Sequence, residues 1–294
     1  MTKDKFFEIP VYSLNKKDKS TLFNEHFFDL TKYHYDNCLP YKNMLDSLGY
    51  NARIKRRYSD IPFLPVRLFK MFDLLSTHQD NITKTMTSSG TSGQEVSKIY
   101  LDKETSINQT KVLTKIVSTY LGSKRSPMII IDSPSVLKNR NMFSARGAGI
   151  LGFSIFGTKR LYALDEQMKL NVDEVIAFIH QNRDQRIFLF GFTFMVYQHF
   201  INELIKSEIK LDLSNAVLIH GGGWKKLLRE SVTSSEFRKI LHQLCGINSV
   251  HDYYGMVEQT GSIYMECEDG NLHAPIFSDI LIRRPHDFSV ADVG

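Results

Sequence analysis

From about residue 112 to residue 254 the chain alternates helix-like and strand-like segments, and no other feature constrains its fold as much. Val112, Leu113, Ile116, Val117, Tyr120 and Leu121 recur at helical spacing, and Pro127 to Ile131 follows as a short apolar run of strand length. The pattern repeats. Val172, Val175, Ile176 and Ile179 mark a helix, Ile187 to Phe190 a strand, and Tyr197, Phe200, Ile201, Leu204 and Ile205 a further helix. Ala216 to Ile219 and Ser249 to Tyr253 read as two more strands. Such alternation predicts an α/β fold with mostly parallel sheets and packed helices, in which ligand loops lie at the carboxyl ends of the strands.

Before about Thr83 the pattern differs: it is rich in aromatic residues, broken by Pro40, Pro62 and Pro65, and helical in spacing around Phe23, Phe27, Phe28 and Leu30. Residues 1–83 are expected to form a helical segment packed on a main domain of residues 84–294. With 294 residues and 42% hydrophobic composition, the chain can bury the core of one large domain or two modest ones. Its 37 basic and 32 acidic side chains leave a formal charge of +5, and the densest basic cluster, Lys55 to Arg57, is too short for a nucleic-acid site. Cys38, Cys245 and Cys267 are odd in number and far apart, so neither a disulfide framework nor a zinc site is indicated. The longest apolar run, Ile187 to Tyr197, is about half what a membrane span needs, and the N-terminus has no signal-peptide pattern. A cytoplasmic protein without a membrane span or nucleic-acid partner is expected.

Thr87-Ser-Ser-Gly-Thr-Ser-Gly93 is a run of seven small residues, five of them with hydroxyls. Glycine lets backbone N–H groups turn inward, and hydroxyls add donors at a similar radius, a design suited to polyphosphate. The same composition also serves solvated linkers. The loop is not the common P-loop, because Gly90 and Gly93 are only three apart and Gln94 follows where Lys is required. Gly147, Gly149 and Gly152 match a dinucleotide fingerprint in spacing, with Asp173 near the expected acid, but the preceding Val136 to Arg146 is not a buried strand. Close helix packing is the better use for those glycines. His220-Gly221-Gly222-Gly223 resembles the oxyanion motif of lipases, yet the chain contains no Gly-x-Ser-x-Gly elbow to supply a nucleophile.

Taken together, Thr87-Ser-Ser-Gly-Thr-Ser-Gly93, Gly221-Gly-Gly-Trp-Lys-Lys226 and Tyr254-Gly-Met-Val-Glu-Gln259 resemble, in order and rough spacing, the adenylate-forming superfamily of acyl-CoA synthetases and luciferases. They look most like its acyl-protein synthetase (LuxE-type) family. The resemblance implies the large N-terminal domain of an adenylate-forming enzyme. It implies ATP-dependent activation of a long-chain fatty acid as an acyl-adenylate, for transfer to a protein thiol within a reductase complex. ATP and Mg2+ are the implied cofactors, and a carboxylic acid and an acyl-reductase or acyl-acceptor protein the implied partners. Ser88, Ser89, Gly90, Thr91, Ser92 and Gly93 would hold the phosphates, with Thr91 and Glu258 catalytic. Glu258 would also hold the metal. Gly221, Gly222, Gly223, Trp224, Tyr254 and Gly255 would surround the nucleotide, although Tyr253 competes with Tyr254 for the adenine face.

The chain departs from the superfamily's pattern in three places. Lys98 is the first cation after the phosphate loop, later than usual, and Val257 stands where many members have Thr before the glutamate. Phe188, Phe190, Phe192, Phe194 and Met195 could line an acyl cleft, but each also suits an ordinary core. The sequence ends at Gly294, about where the superfamily's mobile C-terminal lid domain would begin, which implies an activating domain without its lid. Two alternatives stay open: a ligase for aryl or other carboxylic acids related to phenylacetate-CoA ligase, and a non-catalytic binding partner of a reductase complex.

Overall fold

The chain opens with α1 (Lys3–Glu8) and α2 (Lys16–Asn37). Asn15 starts α2 by accepting the Asp18 N–H at 2.9 Å, which satisfies one of the donors left open at a helix start. Next come α3 (Leu39–Ser47), with Pro40 in its first turn, and α4 (Leu68–Met71). The hairpin strands β1 (Ile82–Thr87) and β2 (Lys98–Asp102) precede the long helix α5 (Lys103–Leu121). The rest alternates: β3 (Ser126–Ile130), α6 (Ala145–Phe153), β4 (Gly157–Tyr162), α7 (Val172–Gln181), β5 (Phe188–Phe192) and α8 (Thr193–Met195). A π-helical segment (Val196–Ile201) leads into α9 (Asn202–Lys206). Then follow β6 (Val217–Gly221), α10 (Ser234–Cys245), β7 (Ser249–Gly255), β8 (Ile263–Glu266) and β9 (Leu272–His273).

This computed structural model describes residues 3–88, 95–137 and 145–291. The chain divides into two compact units: residues 1–116, 255–263 and 274–294 form the first, and residues 117–254 and 264–273 the second.

In the first unit, Leu45, Tyr50 and Ala52 form a small core against Tyr35, Tyr41 and Ile61. Asp279 anchors α2 and the segment after it, accepting the Tyr58 hydroxyl at 2.6 Å and lying 3.5 Å from the Lys19 ammonium. The strands β1 and β2 pair antiparallel from Ile82 with Asp102 to Thr87 with Lys98.

The second unit is built on a seven-stranded sheet of order β4-β3-β5-β6-β7-β8-β9. Its pairs from β4 through β7 are parallel, and β8 with β9 is antiparallel. Every residue of β3, β5 and β6 is buried, as expected of parallel strands covered on both faces. Ile129, Leu189 and Leu218 from these strands, with Ile131 just after β3, pack with Val175, Phe200, Leu204, Phe237 and Leu241 from the helices in one continuous core. Thr233 and Glu236 cap α10 reciprocally, and Gly246 ends it in the left-handed conformation at φ 69°.

The strands and helices expected after residue 112 are all present. The helix expected from Tyr197 to Ile205 differs in detail: Phe200, Ile201 and Leu204 are buried but Ile205 is exposed. The π-helical segment takes more residues per turn than an α-helix, so the apolar face shifts phase there.

Candidate functional site

In the first unit, the Thr87–Gly93 loop joins the two strands of the β1–β2 hairpin. Its neck is closed by a reciprocal pair: the Ser88 N–H donates to the Ser97 carbonyl at 3.1 Å, and the Ser97 N–H donates to Ser88 Oγ at 2.9 Å. Ser88 keeps its hydroxyl proton for a further acceptor. Ser89, Gly90, Thr91, Ser92 and Gly93 lie outside the described residues. Lys98 opens β2 on the surface, 3.7 Å from the Asp73 carboxylate. The Tyr100 hydroxyl donates to Asp73 at 2.5 Å, and that hydrogen bond holds its phenol up at about 12.

Glu258 lies half-buried in the turn between β7 and β8. The Gln259 N–H closes that turn on the Met256 carbonyl at 3.1 Å, and Ser262 Oγ donates to Ser278 Oγ at 2.8 Å. Gly261 holds φ +80°, and a Cβ there would lie 2.7 Å from the Gln109 carbonyl oxygen of α5. The same Gln109 accepts the Lys84 ammonium at 3.0 Å and donates to the Met86 sulfur at 2.8 Å. Within this unit one helix residue therefore touches both the stem of the Ser/Thr/Gly loop and the turn that bears Glu258. Gln109 carries no motif, and a polar residue on a helix gives no sequence signal of such a role.

In the second unit, polar or glycine residues lie at or just past the carboxyl ends of parallel strands: Asp132 after β3, Thr193 after β5 and Gly221 at the end of β6. At the end of β6, Gly221 is followed by Gly222 and Gly223 at φ +80° and +65°. A Cβ on Gly221 would lie 2.6 Å from the Tyr253 carbonyl oxygen, and one on Gly222 2.4 Å from the Phe192 ring. Space excludes a side chain at Gly221, backbone conformation disfavours one at Gly223, and both act together at Gly222. Tyr253 packs inward against Gly221 and the Phe153 ring, whose centroid is 5.0 Å away. Tyr254 is 50% exposed, with the Tyr264 ring 6.1 Å off, and Gly255 follows it on the surface. The Trp224 ring packs against Tyr197 at 4.8 Å and Phe237 at 6.1 Å.

Three ionisable clusters surround this edge. His220 is buried, and desolvation holds its imidazole down at about 4, so the ring is neutral. Its Nδ1 lies 3.0 Å from Thr193 Oγ1 and 3.7 Å from Asp252 Oδ1. Burial, with the Glu266 carboxylate nearby, pushes Asp252 up to about 7. Its side chain is nonetheless 42% exposed, so solvent moderates that rise. Glu266 is buried, which opposes ionisation, yet donors from Ser234 at 2.7 Å, the Asp252 N–H at 3.1 Å and Arg238 at 2.9 Å hold it below the usual range. Past the end of β3, buried Asp132 faces the Arg146 guanidinium at 3.0 Å; desolvation raises its carboxyl and Arg146 partly offsets the rise. None of Thr193, Asp132, Arg146 or Glu266 belongs to a recognisable motif.

The aromatic run in β5 is core. Phe188 and Phe190 are fully buried, and Phe190 stacks on Phe153 at 4.3 Å. Gly149 of α6 lets that helix approach β5, since a Cβ there would lie 3.1 Å from the Phe192 ring, so helix packing accounts for this glycine. Cys38 and Cys245 are buried. Burial pushes the Cys245 thiol up to about 12, leaving almost no thiolate for nucleophilic chemistry. Among the described residues no helix is long and apolar enough to cross a membrane.

Known proteins are similar to this chain in sequence and in fold. The chain is similar to the long-chain-fatty-acid–luciferin-component ligase of Vibrio harveyi, at 22% identity over 82% of its own length and 64% of the ligase. It thus spans less than two thirds of that relative. In structure it resembles an open conformation of 2-hydroxyisobutyryl-CoA ligase in complex with 2-HIB-AMP and CoA, with a TM-score of 0.68 over 96% of this chain and 65% of that one at 11% identity. The same ligase in its postadenylation state with 2-HIB-AMP gives a TM-score of 0.70 over 96% and 59% of the two chains at 10% identity. The α/β fold is thus that of adenylate-forming ligase domains. The family model for acyl-protein synthetase, LuxE, matches residues 2–294, and the chain belongs to that family.

Proposed function

We propose that this chain activates a carboxylic acid as an acyl-adenylate with ATP, the acyl group passing on to a protein thiol, and that the acid is a long-chain fatty acid. The observation that carries the reading is the glycine turn at the carboxyl end of β6, where ligands collect in parallel α/β sheets, in a chain matched by the LuxE family model over residues 2–294. A carboxylate is a poor electrophile. Its oxygen attacks the α-phosphorus of ATP, a new phosphorus–oxygen bond forms, and the bond to pyrophosphate breaks. Two anions must approach each other, so the protein's task is to aim donors at the phosphate oxygens.

In this reading residues 84–294 form the ATP- and acyl-binding core. Ser88, Ser89, Gly90, Thr91, Ser92 and Gly93 hold the phosphates, with Lys98 as the nearest cation along the chain. Gly221, Gly222, Gly223, Trp224, Tyr254 and Gly255 lie along the nucleotide. Mg2+ is commonly held by one or two carboxylates together with substrate phosphates. Glu258 is such a carboxylate, and Mg2+ bound there would neutralise charge on the phosphates. A thiol of the acceptor, in a reductase partner, then takes the acyl group and releases AMP.

Carboxylate-dependent exchange of labelled pyrophosphate into ATP tests the reading. Exchange with tetradecanoate and not with phenylacetate is expected, with loss of exchange in Glu258→Ala. The reverse preference makes this an aryl-acid ligase. ATP binding without exchange for any acid in the panel makes it a non-catalytic partner.

A further inference from the structure

Two consecutive residues of the second unit, Phe192 and Thr193, each engage one residue of the glycine turn. The Phe192 ring occupies the space beneath Gly222, at 2.4 Å from where a Cβ would stand. Thr193 Oγ1 is buried and lies 3.2 Å from the Gly221 carbonyl oxygen and 3.0 Å from His220 Nδ1. A threonine hydroxyl has one proton. If it goes to the Gly221 carbonyl, the imidazole must donate from Nδ1; if it goes to Nδ1, the buried carbonyl loses this donor. The first arrangement satisfies both contacts. It also directs the Nδ1 proton toward the side where Asp252 Oδ1 lies 3.7 Å away. Desolvation keeps the ring neutral, so a single tautomer defines the direction of the whole chain of hydrogen bonds.

We propose that Thr193 is a positioning residue for nucleotide binding: the relay from His220 Nδ1–H to Thr193 to the Gly221 carbonyl fixes the peptide planes of the Gly221–Gly223 turn. The role follows from what glycine lacks. Gly222 and Gly223 sit at positive φ with no side chain to restrain them, and free glycines lose more conformational entropy on ordering than any other residue. A turn meant to present N–H groups to an anion gains affinity when that ordering is completed during folding and not on binding. The ring and the hydroxyl of adjacent residues supply the restraint, and both come from the end of the neighbouring strand. This proposal rests on the nucleotide-binding reading above.

The test separates the two. Nitrogen-15 NMR of the His220 side chain in the full chain is expected to show the Nδ1–H tautomer near neutral pH. Titration calorimetry with Mg-ATP is expected to show affinity reduced about tenfold or more in Thr193→Val, where both partners lose the hydroxyl, and restored to within about twofold in Thr193→Ser. An Nε2–H tautomer, or wild-type affinity in a folded Thr193→Val, overturns the relay. If the unaltered chain binds no ATP, the nucleotide reading falls. The relay is then judged on the Gly222 and Gly223 amide signals, which must shift in Thr193→Val and recover in Thr193→Ser. Unmoved signals overturn it.

Discussion

The Gly221–Gly223 turn and the neck of the Thr87–Gly93 loop are held by opposite means. The Gly221–Gly223 turn leaves a strand that is buried at every position, and it is bounded by Phe192, Thr193 and Tyr253. The Thr87–Gly93 loop leaves a strand whose residues are mostly exposed, and among the described residues its neck is closed by one pair of serines. One loop is shaped by the core. The neck of the other is closed by local hydrogen bonds on a two-stranded hairpin, an element that is marginal without packing. The contrast teaches that glycine means different things in the two places: at Gly221 and Gly222 a side chain has no room, whereas on the hairpin the described neck is closed by serine hydrogen bonds that set no such limit.

The largest expected effect comes from Gly222→Ala. A Cβ 2.4 Å from a packed aromatic ring, at φ +80°, should cost about 3 kcal/mol of stability in denaturant titration, the sum of overpacking and left-handed strain. A loss below about 0.5 kcal/mol, within the range of ordinary surface changes, would break the comparison.

Next is the pH dependence of the second unit. His220 is held at about 4 against a usual 6.5, so between those values the unfolded chain binds a proton that the folded chain refuses. Stability therefore falls as pH falls through that window, by at most about 3 kcal/mol. Asp252, raised to about 7, acts in the opposite sense, because there the folded chain holds the extra proton. In His220→Asn the urea midpoint should lose less, or gain more, between pH 6.5 and 4.5 than in the unaltered chain. An unchanged slope in urea midpoints removes His220 from the account.

Gly261→Ala probes the first unit in the same manner. With φ +80° and the Gln109 carbonyl at 2.7 Å, it should cost about 2 kcal/mol and move the turn that bears Glu258. Equal losses at Gly222 and Gly261 would show that both units grip their turns alike. The smallest effect is expected at Lys98→Ala: an exposed pair 3.7 Å from Asp73 contributes less than about 0.5 kcal/mol. A loss of ATP affinity in a variant of unchanged stability would assign Lys98 to the ligand.

Much of the architecture was legible because burial on both faces writes continuous apolar runs, and Phe188–Phe192 and Val217–Gly221 are such runs. The same property made the aromatic residues of β5 ambiguous. Composition alone does not separate a ring lining a cleft from one stacked in a core, and the Phe153–Phe190 contact at 4.3 Å decides it. The residues alone likewise leave Tyr253 and Tyr254 open, and only the family resemblance favours Tyr254. Strand alternation turns one inward against Gly221 and leaves the other 50% exposed, and only the pairing of β6 with β7 says which.

The sequence by itself determined the parallel α/β order of the chain, the glycine-bearing strand end at β6 and the family resemblance, because periodicity and short motifs are local. Thr193 between His220 and Gly221, Gln109 between Met86 and Gly261, and Glu266 under Arg238 were decided by tertiary structure alone. Each joins residues far apart in sequence. A polar side chain leaves no periodic trace of the partner that burial will force it to find.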